Sequence, residues 1–241
     1  MGRVSLAQLE KPLKKNLLLR LIVFGGCNQI FLAALLFFPG TLDLDFPPGW
    51  RFLVVNLLAT VIFCAYFYRH DPEFLARRLL RREKFGVQKI IMLLLKVVSV
   101  LAWLLCAFDH HCGWTRMYLT PVPWGVSVLA LGGYAACYLL FIPVFNANRF
   151  AASVIRTETG QTVADSGPYR LVRHPMYSVS LATWVWIPLS LGSLLALSAL
   201  PLIALLIIWR LLQEEKILRR DLPGYAEYCR RTRYRLIPGV W

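Results

Sequence analysis

Acidic side chains are scarce in this chain: 13 Asp and Glu stand against 27 Lys and Arg in 241 residues, a formal net charge of +14. Charged residues of both signs make up 17%, well below the roughly 25% of a water-soluble domain. Histidine is limited to four residues, and the six cysteines (Cys27, Cys64, Cys106, Cys112, Cys137 and Cys229) show no Cys-x-x-Cys spacing. That argues against a metal cage or a disulfide framework, and the cysteines read as small buried hydrophobes. Apolar residues, in contrast, are abundant, at 58% with a mean hydropathy of +0.55. Lipid is therefore the expected main solvent, and a disordered chain is excluded. At about 20 residues per membrane span, six spans leave room for loops and tails and none for a second soluble domain. In such a chain excess Lys and Arg mark the cytoplasmic face and contacts to anionic lipids, so no nucleic-acid partner is expected.

The apolar runs predict six spans, over 21–38, 52–68, 90–108, 124–145, 176–191 and 194–209. Pro39-Gly40 ends the first, which lacks a small-residue cleavage pattern and reads as an anchor. Gly192-Ser193 splits the last two into a tight hairpin. The fold class is thus all-α and polytopic, with four N-terminal spans in residues 1–145. Residues 146–241 supply a polar loop, the hairpin and a tail within the same structural domain. Six crossings put the basic head, the basic 69–89 and 146–174 loops and the basic tail on one face, opposite Asp43, Asp45 and Asp109. The positive-inside rule then predicts cytoplasmic termini, in a bacterial inner membrane or an ER-like one.

Polar residues concentrate at 167–177 and at Gln213-Glu214-Glu215-Lys216, which flank the hairpin on that same face. An out-and-back hairpin makes these stretches neighbours in space. Pro175 suits a first helical turn, which makes His174 the N-cap and leaves free amides that favour an anion. Arg173 and His174 would face one end of a zwitterionic ligand and Glu214 and Glu215 the other. An amino-acid tail has that form.

Gly167-Pro168-Tyr169, Arg173-His174-Pro175-x-Tyr177, Glu214-Glu215-x-x-Leu218, and Tyr225-x-x-Tyr228 leading to Arg235-x-x-Pro238 form an ordered set. Over roughly the last 90 residues it resembles the isoprenylcysteine carboxyl methyltransferase superfamily, which takes in phospholipid methyltransferase-like membrane proteins. The resemblance implies an S-adenosylmethionine pocket closed by the tail, open through the bilayer to a lipophilic or lipidated acceptor. It assigns cofactor contacts to Tyr169, Arg173, His174, Pro175, Tyr177, Glu214 and Glu215, with Tyr225, Tyr228 and Arg235 in the lid. Gln161 and Val163 stand at the family's His-x-Leu-type cofactor segment, where Gln161 departs from the His. For catalysis, Arg173 or Arg210 would orient an acceptor carboxylate, and Glu214 or Glu215 would take a proton from an acceptor amine; both acceptors stay open.

Other readings compete. Asp109-His110-His111-Cys112 invites a metal, but adjacent His residues on a loop rarely aim at one ion, and no metal is expected. Tyr228-Cys229 and Tyr234-Arg235-x-x-Pro238 also suit a sterol-reductase-like, NADPH-dependent oxidoreductase, although Met176-Tyr177-Ser178-Val179 does not match its Asn-Tyr and Gly-Asp pattern. A third reading is a non-catalytic scaffold whose basic faces hold anionic lipid. The sequence fixes no oligomeric state.

Overall fold

The computed structural model describes residues 6–38, 44–80, 86–148 and 162–241, the side chains of 6–15 and 79–80 excepted. Among the described residues all regular elements are helical: α1 (Leu6–Phe37), α2 (Pro47–His70), α3 (Pro72–Leu80), α4 (Gly86–Cys112), α5 (Trp114–Tyr118), α6 (Trp124–Ala147), α7 (Pro175–Leu191), α8 (Leu200–Asp221) and α9 (Tyr225–Arg231). Short 3₁₀ turns, Gly167–Arg170 and Leu195–Ala199, precede α7 and α8. Five helices are long and apolar enough to cross a membrane: α1, α2, α4, α6, and α8 with the turn before it.

The fifth of the six apolar runs, α7, has 17 residues. At 1.5 Å per residue it is about 26 Å long, a little short of the ~30 Å hydrocarbon core. Its two ends nevertheless reach the two levels set by α4. Near its start Tyr177 meets Arg210, which in turn meets Gln88 of α4, and just past its end Ser193 donates to Asp109 of α4. The chain closes α7 with a Schellman motif: Gly192, at φ 80°, donates to Leu189, and Ser193 donates to Pro188 at 2.9 Å.

Several boundaries differ from the sequence expectation. α2 starts earlier because Pro47 and Pro48 occupy its first turn, where a missing N–H leaves no bond unmade. α3 interrupts the basic 69–89 loop, with Phe74 and Leu75 buried. The expected loop at Asp109-His110-His111-Cys112 is in fact the last turn of α4, which ends at Gly113 in the left-handed region.

α6 and α7 form the tightest contact of the bundle. A Cβ on Gly133 would lie 2.6 Å from the Trp186 ring, so only glycine admits the indole there. Around this pair the core joins Leu36, Phe52, Trp103, Leu131, Tyr134 and Leu191. Large apolar side chains on the outer faces, among them Ile22, Phe24, Leu58 and Leu93, are exposed, as a lipid-facing wall requires.

Candidate functional site

The polar loop reaches the bundle through the Gly167–Arg170 turn, which buries Tyr169. The backbone then runs alongside the tail: the Arg173 and His174 amides donate to the carbonyls of Tyr234 and Arg235 at 2.9 and 3.0 Å. Pro175 opens α7, and His174 holds the N-cap position with its side chain free of any capping bond. Its carbonyl instead accepts the Tyr177 and Ser178 amides, so that pair of N–H groups is already engaged within the helix.

The expected zwitterion cradle, cations at one end and carboxylates at the other, is not what forms. Glu215 is buried and lies among the cations themselves. Arg173 Nη1 is 2.6 Å from its Oε1, Arg235 Nε is 3.1 Å from its Oε2, and His174 Nε2 stands 3.5 Å away. Desolvating one carboxylate is offset by surrounding it with donors, which is how a buried charge is tolerated. Arg173 also donates to the Arg233 carbonyl at 2.8 Å and approaches the Cys229 sulfur at 3.4 Å. Arg173 is thus a structural partner of Glu215 more than a free anion receptor.

Glu214 belongs to a second cluster. The Tyr177 hydroxyl donates to Glu214 Oε2 at 2.7 Å and accepts from Arg210 Nε at 3.0 Å, while Arg210 Nη1 donates to Gln88 at 3.1 Å. Glu214 is half-buried where Glu215 is closed in, so of the two carboxylates it keeps the freer lone pairs.

The tail is packed as a lid. Leu222, Tyr225 and Tyr228 form a core cluster with Val163 against it, and the Tyr228 hydroxyl donates to the Tyr169 carbonyl at 2.7 Å. Tyr169 in turn accepts from Asn148 at 3.3 Å. Burial raises all three hydroxyls of Tyr169, Tyr225 and Tyr228 above the ordinary phenol value, so they are neutral donors at pH 7. Arg235 lies 4.9 Å over the Trp241 ring. Tyr234, in contrast, is exposed.

The structure therefore brings together Val163, Tyr169, Arg173, His174, Pro175, Tyr177, Arg210, Glu214, Glu215, Tyr225, Tyr228 and Arg235 at one end of the bundle. Gln161 lies outside the described residues. Sequence reasoning missed Gln88, whose signal was an amide in the first turn of an apolar run, and Arg78. The Arg78 guanidinium sits 4.3 Å over Phe145 and 5.9 Å from Phe74, with Nη1 buried and without a hydrogen-bond partner. Phe145 shares its cluster with Tyr169 and Met176.

An S-adenosylmethionine tail needs donors for its carboxylate and an acceptor for its ammonium. Among the described residues, buried polar atoms of this end that make no close hydrogen bond include Arg173 Nε, the Tyr225 hydroxyl, Gln88 Nε2 and His174 Nε2, the last with only the 3.5 Å approach to Glu215. Such orphans are expensive unless a ligand meets them, and with Glu214 they fit a zwitterion.

Residues 124–222 match the family described as phospholipid methyltransferase, a stretch that takes in α6 as well as the hairpin and both carboxylates. The chain is 30% identical over 166 residues to the cobalt-zinc-cadmium resistance protein CzcN of Cupriavidus metallidurans, covering 67% of this chain and 68% of that protein. No solved structure matches the chain significantly.

Proposed function

Because the chain belongs to the phospholipid methyltransferase family of integral membrane proteins, we propose that it is an S-adenosylmethionine-dependent methyltransferase for a lipophilic acceptor, with its site and both termini on the cytoplasmic side. One observation carries this reading: three buried donors without a close hydrogen bond, Arg173 Nε, His174 Nε2 and the Tyr225 hydroxyl, gather around Glu215 beneath a docked tail. His174 Nε2 and the Tyr225 hydroxyl would hold the cofactor's carboxylate, and Glu214 its ammonium. When bound, the cofactor supplies an electrophilic sulfonium methyl group.

The chain's own part is mostly positioning and the exclusion of water. Arg235 and Arg173 clamp Glu215, which fixes the first turn of α7 against α8 and so sets the direction of His174. Arg210 holds the Tyr177 hydroxyl, which in turn orients Glu214. A carboxylate acceptor needs no base, being ionised at pH 7. An amine acceptor would give up its proton to Glu214. Arg78 favours the acid: a half-buried guanidinium, its buried Nη1 without a hydrogen bond and with no acidic partner among the described residues, suits an anionic head arriving from the bilayer.

Calorimetric titration of the detergent-purified protein with S-adenosylhomocysteine, and separately with NADPH, tests the reading. Saturable, salt-tolerant binding of the first alone is expected. Binding of NADPH alone would move the chain to the reductase chemistry that its Tyr228-Cys229 and Tyr234-Arg235 tail also suits, and binding of neither would reject an enzymatic pocket here.

A further inference from the structure

At the end of the bundle away from Glu215 lies a cavity of about 220 Å³. It is enclosed by the first turns of α2 and α6, the last turns of α4 and α7, and α5. Its wall includes Arg51, Asp109, His110, Thr115, Arg116 and Trp124. Neither Arg51 nor Arg116 has an acidic partner among the described residues, and Arg51 Nε is buried with no hydrogen-bond partner at all.

Asp109 does not serve them. Its Oδ1 accepts the Thr115 amide at 2.5 Å, and its Oδ2 accepts the Thr115 hydroxyl at 2.5 Å and the Ser193 hydroxyl. His110 is turned aside, stacked on Phe46 at 4.0 Å with its Nε2 lying 3.1 Å from the Asp45 carbonyl. α6 begins here with the free N–H groups of its first turn; α2 also begins here, but with Pro47 and Pro48, which have no N–H, so its start adds only the positive end of its helix dipole. A guanidinium with an unmade bond beside two helix starts calls for a negatively charged oxygen.

The volume is below the roughly 300–1,000 Å³ of pockets for drug-sized ligands, so only a small group fits. Exposed Tyr118 and Trp124 place the opening at the depth of an aromatic membrane belt. We propose that this cavity binds a phosphate-type oxyanion, supplied by a phospholipid headgroup of the leaflet at that end or by free inorganic phosphate.

The test uses the full chain and its Arg51→Gln and Arg116→Gln variants. Arg220→Gln is the control, at an exposed arginine paired with Asp221 near the other end. Thermal stabilisation by inorganic phosphate is compared with chloride at equal ionic strength. Retention of phosphatidylglycerol over phosphatidylcholine from nanodiscs is measured by native mass spectrometry. Saturable binding of one probe is expected, weakened about tenfold or more, some 1.4 kcal/mol, by either cavity variant and unchanged in Arg220→Gln. Lipid retention without a phosphate effect identifies the headgroup as the source; the reverse identifies the soluble ion. Binding of neither probe, or equal loss in Arg220→Gln, overturns the proposal. Should Arg51→Gln fail to fold, the exposed Arg116 carries the comparison alone.

Discussion

Glu215 and Asp109 are two buried carboxylates at opposite ends of one helical bundle, and they are desolvated by opposite means. Glu215 is met by the guanidinium groups of Arg173 and Arg235, with Arg219 at 3.9 Å and the His174 ring at 3.5 Å. Asp109 is met by a neutral amide and two hydroxyls from Thr115 and Ser193. The neutral node is fully used: both oxygens are engaged, and Thr115 Oγ1 goes on to accept the Leu194 amide at 3.2 Å. The charged node is left over-supplied with donors, since Arg173 Nε makes no hydrogen bond and His174 Nε2 has only a long approach to Glu215. Saturation marks a joint of the fold; the surplus is what the proposed cofactor would meet.

The sharpest way to break the contrast is Glu215→Ala. Removing it strands the buried Arg173 and the half-buried Arg235 without their carboxylate, and a loss of about 3 kcal/mol in stability is expected from unfolding in mixed micelles. His174→Ala acts on the ligand instead, and titration should show S-adenosylhomocysteine affinity lower by about 1.5–3 kcal/mol with the thermal midpoint little changed. Asp109→Asn leaves donors without a full acceptor and should cost about 1–3 kcal/mol of stability, with S-adenosylhomocysteine affinity unchanged. An affinity loss there matching that of His174→Ala would end the distinction between the two nodes. The smallest effect, about 0.5–1.5 kcal/mol, is expected for Tyr228→Phe, which deletes the bond to the Tyr169 carbonyl and is read from the same unfolding assay.

Much of this was legible in the residues. Of the six spans expected from apolar run length, five are helices long and apolar enough to cross a membrane, and Pro175 and Gly192 announced the start and end of the shorter one, α7. The meeting of Arg173-His174 with Glu214-Glu215 followed from the hairpin alone. Their pairing did not, because it depends on a second return of the chain: the tail brings the Arg233 carbonyl back onto Arg173, 60 positions away, and Arg235 back onto Glu215, 20 positions away. Periodicity reports which face of a helix is apolar and carries nothing about such a return. The Asp109 node was hidden for the same reason, since Ser193 lies 84 residues away from it in sequence. α3 was overlooked because its arginines masked the buried Phe74 and Leu75.

The backbone pairing of the tail with Arg173 and His174 makes those two amides a built-in timer. Their protons are held by the Tyr234 and Arg235 carbonyls and can pass to solvent deuterium only while the tail is lifted. Hydrogen exchange at these positions therefore counts lid openings directly, in detergent or bilayer, without any substrate in hand. A ligand seated beneath the lid slows that count by the factor by which it favours the closed state.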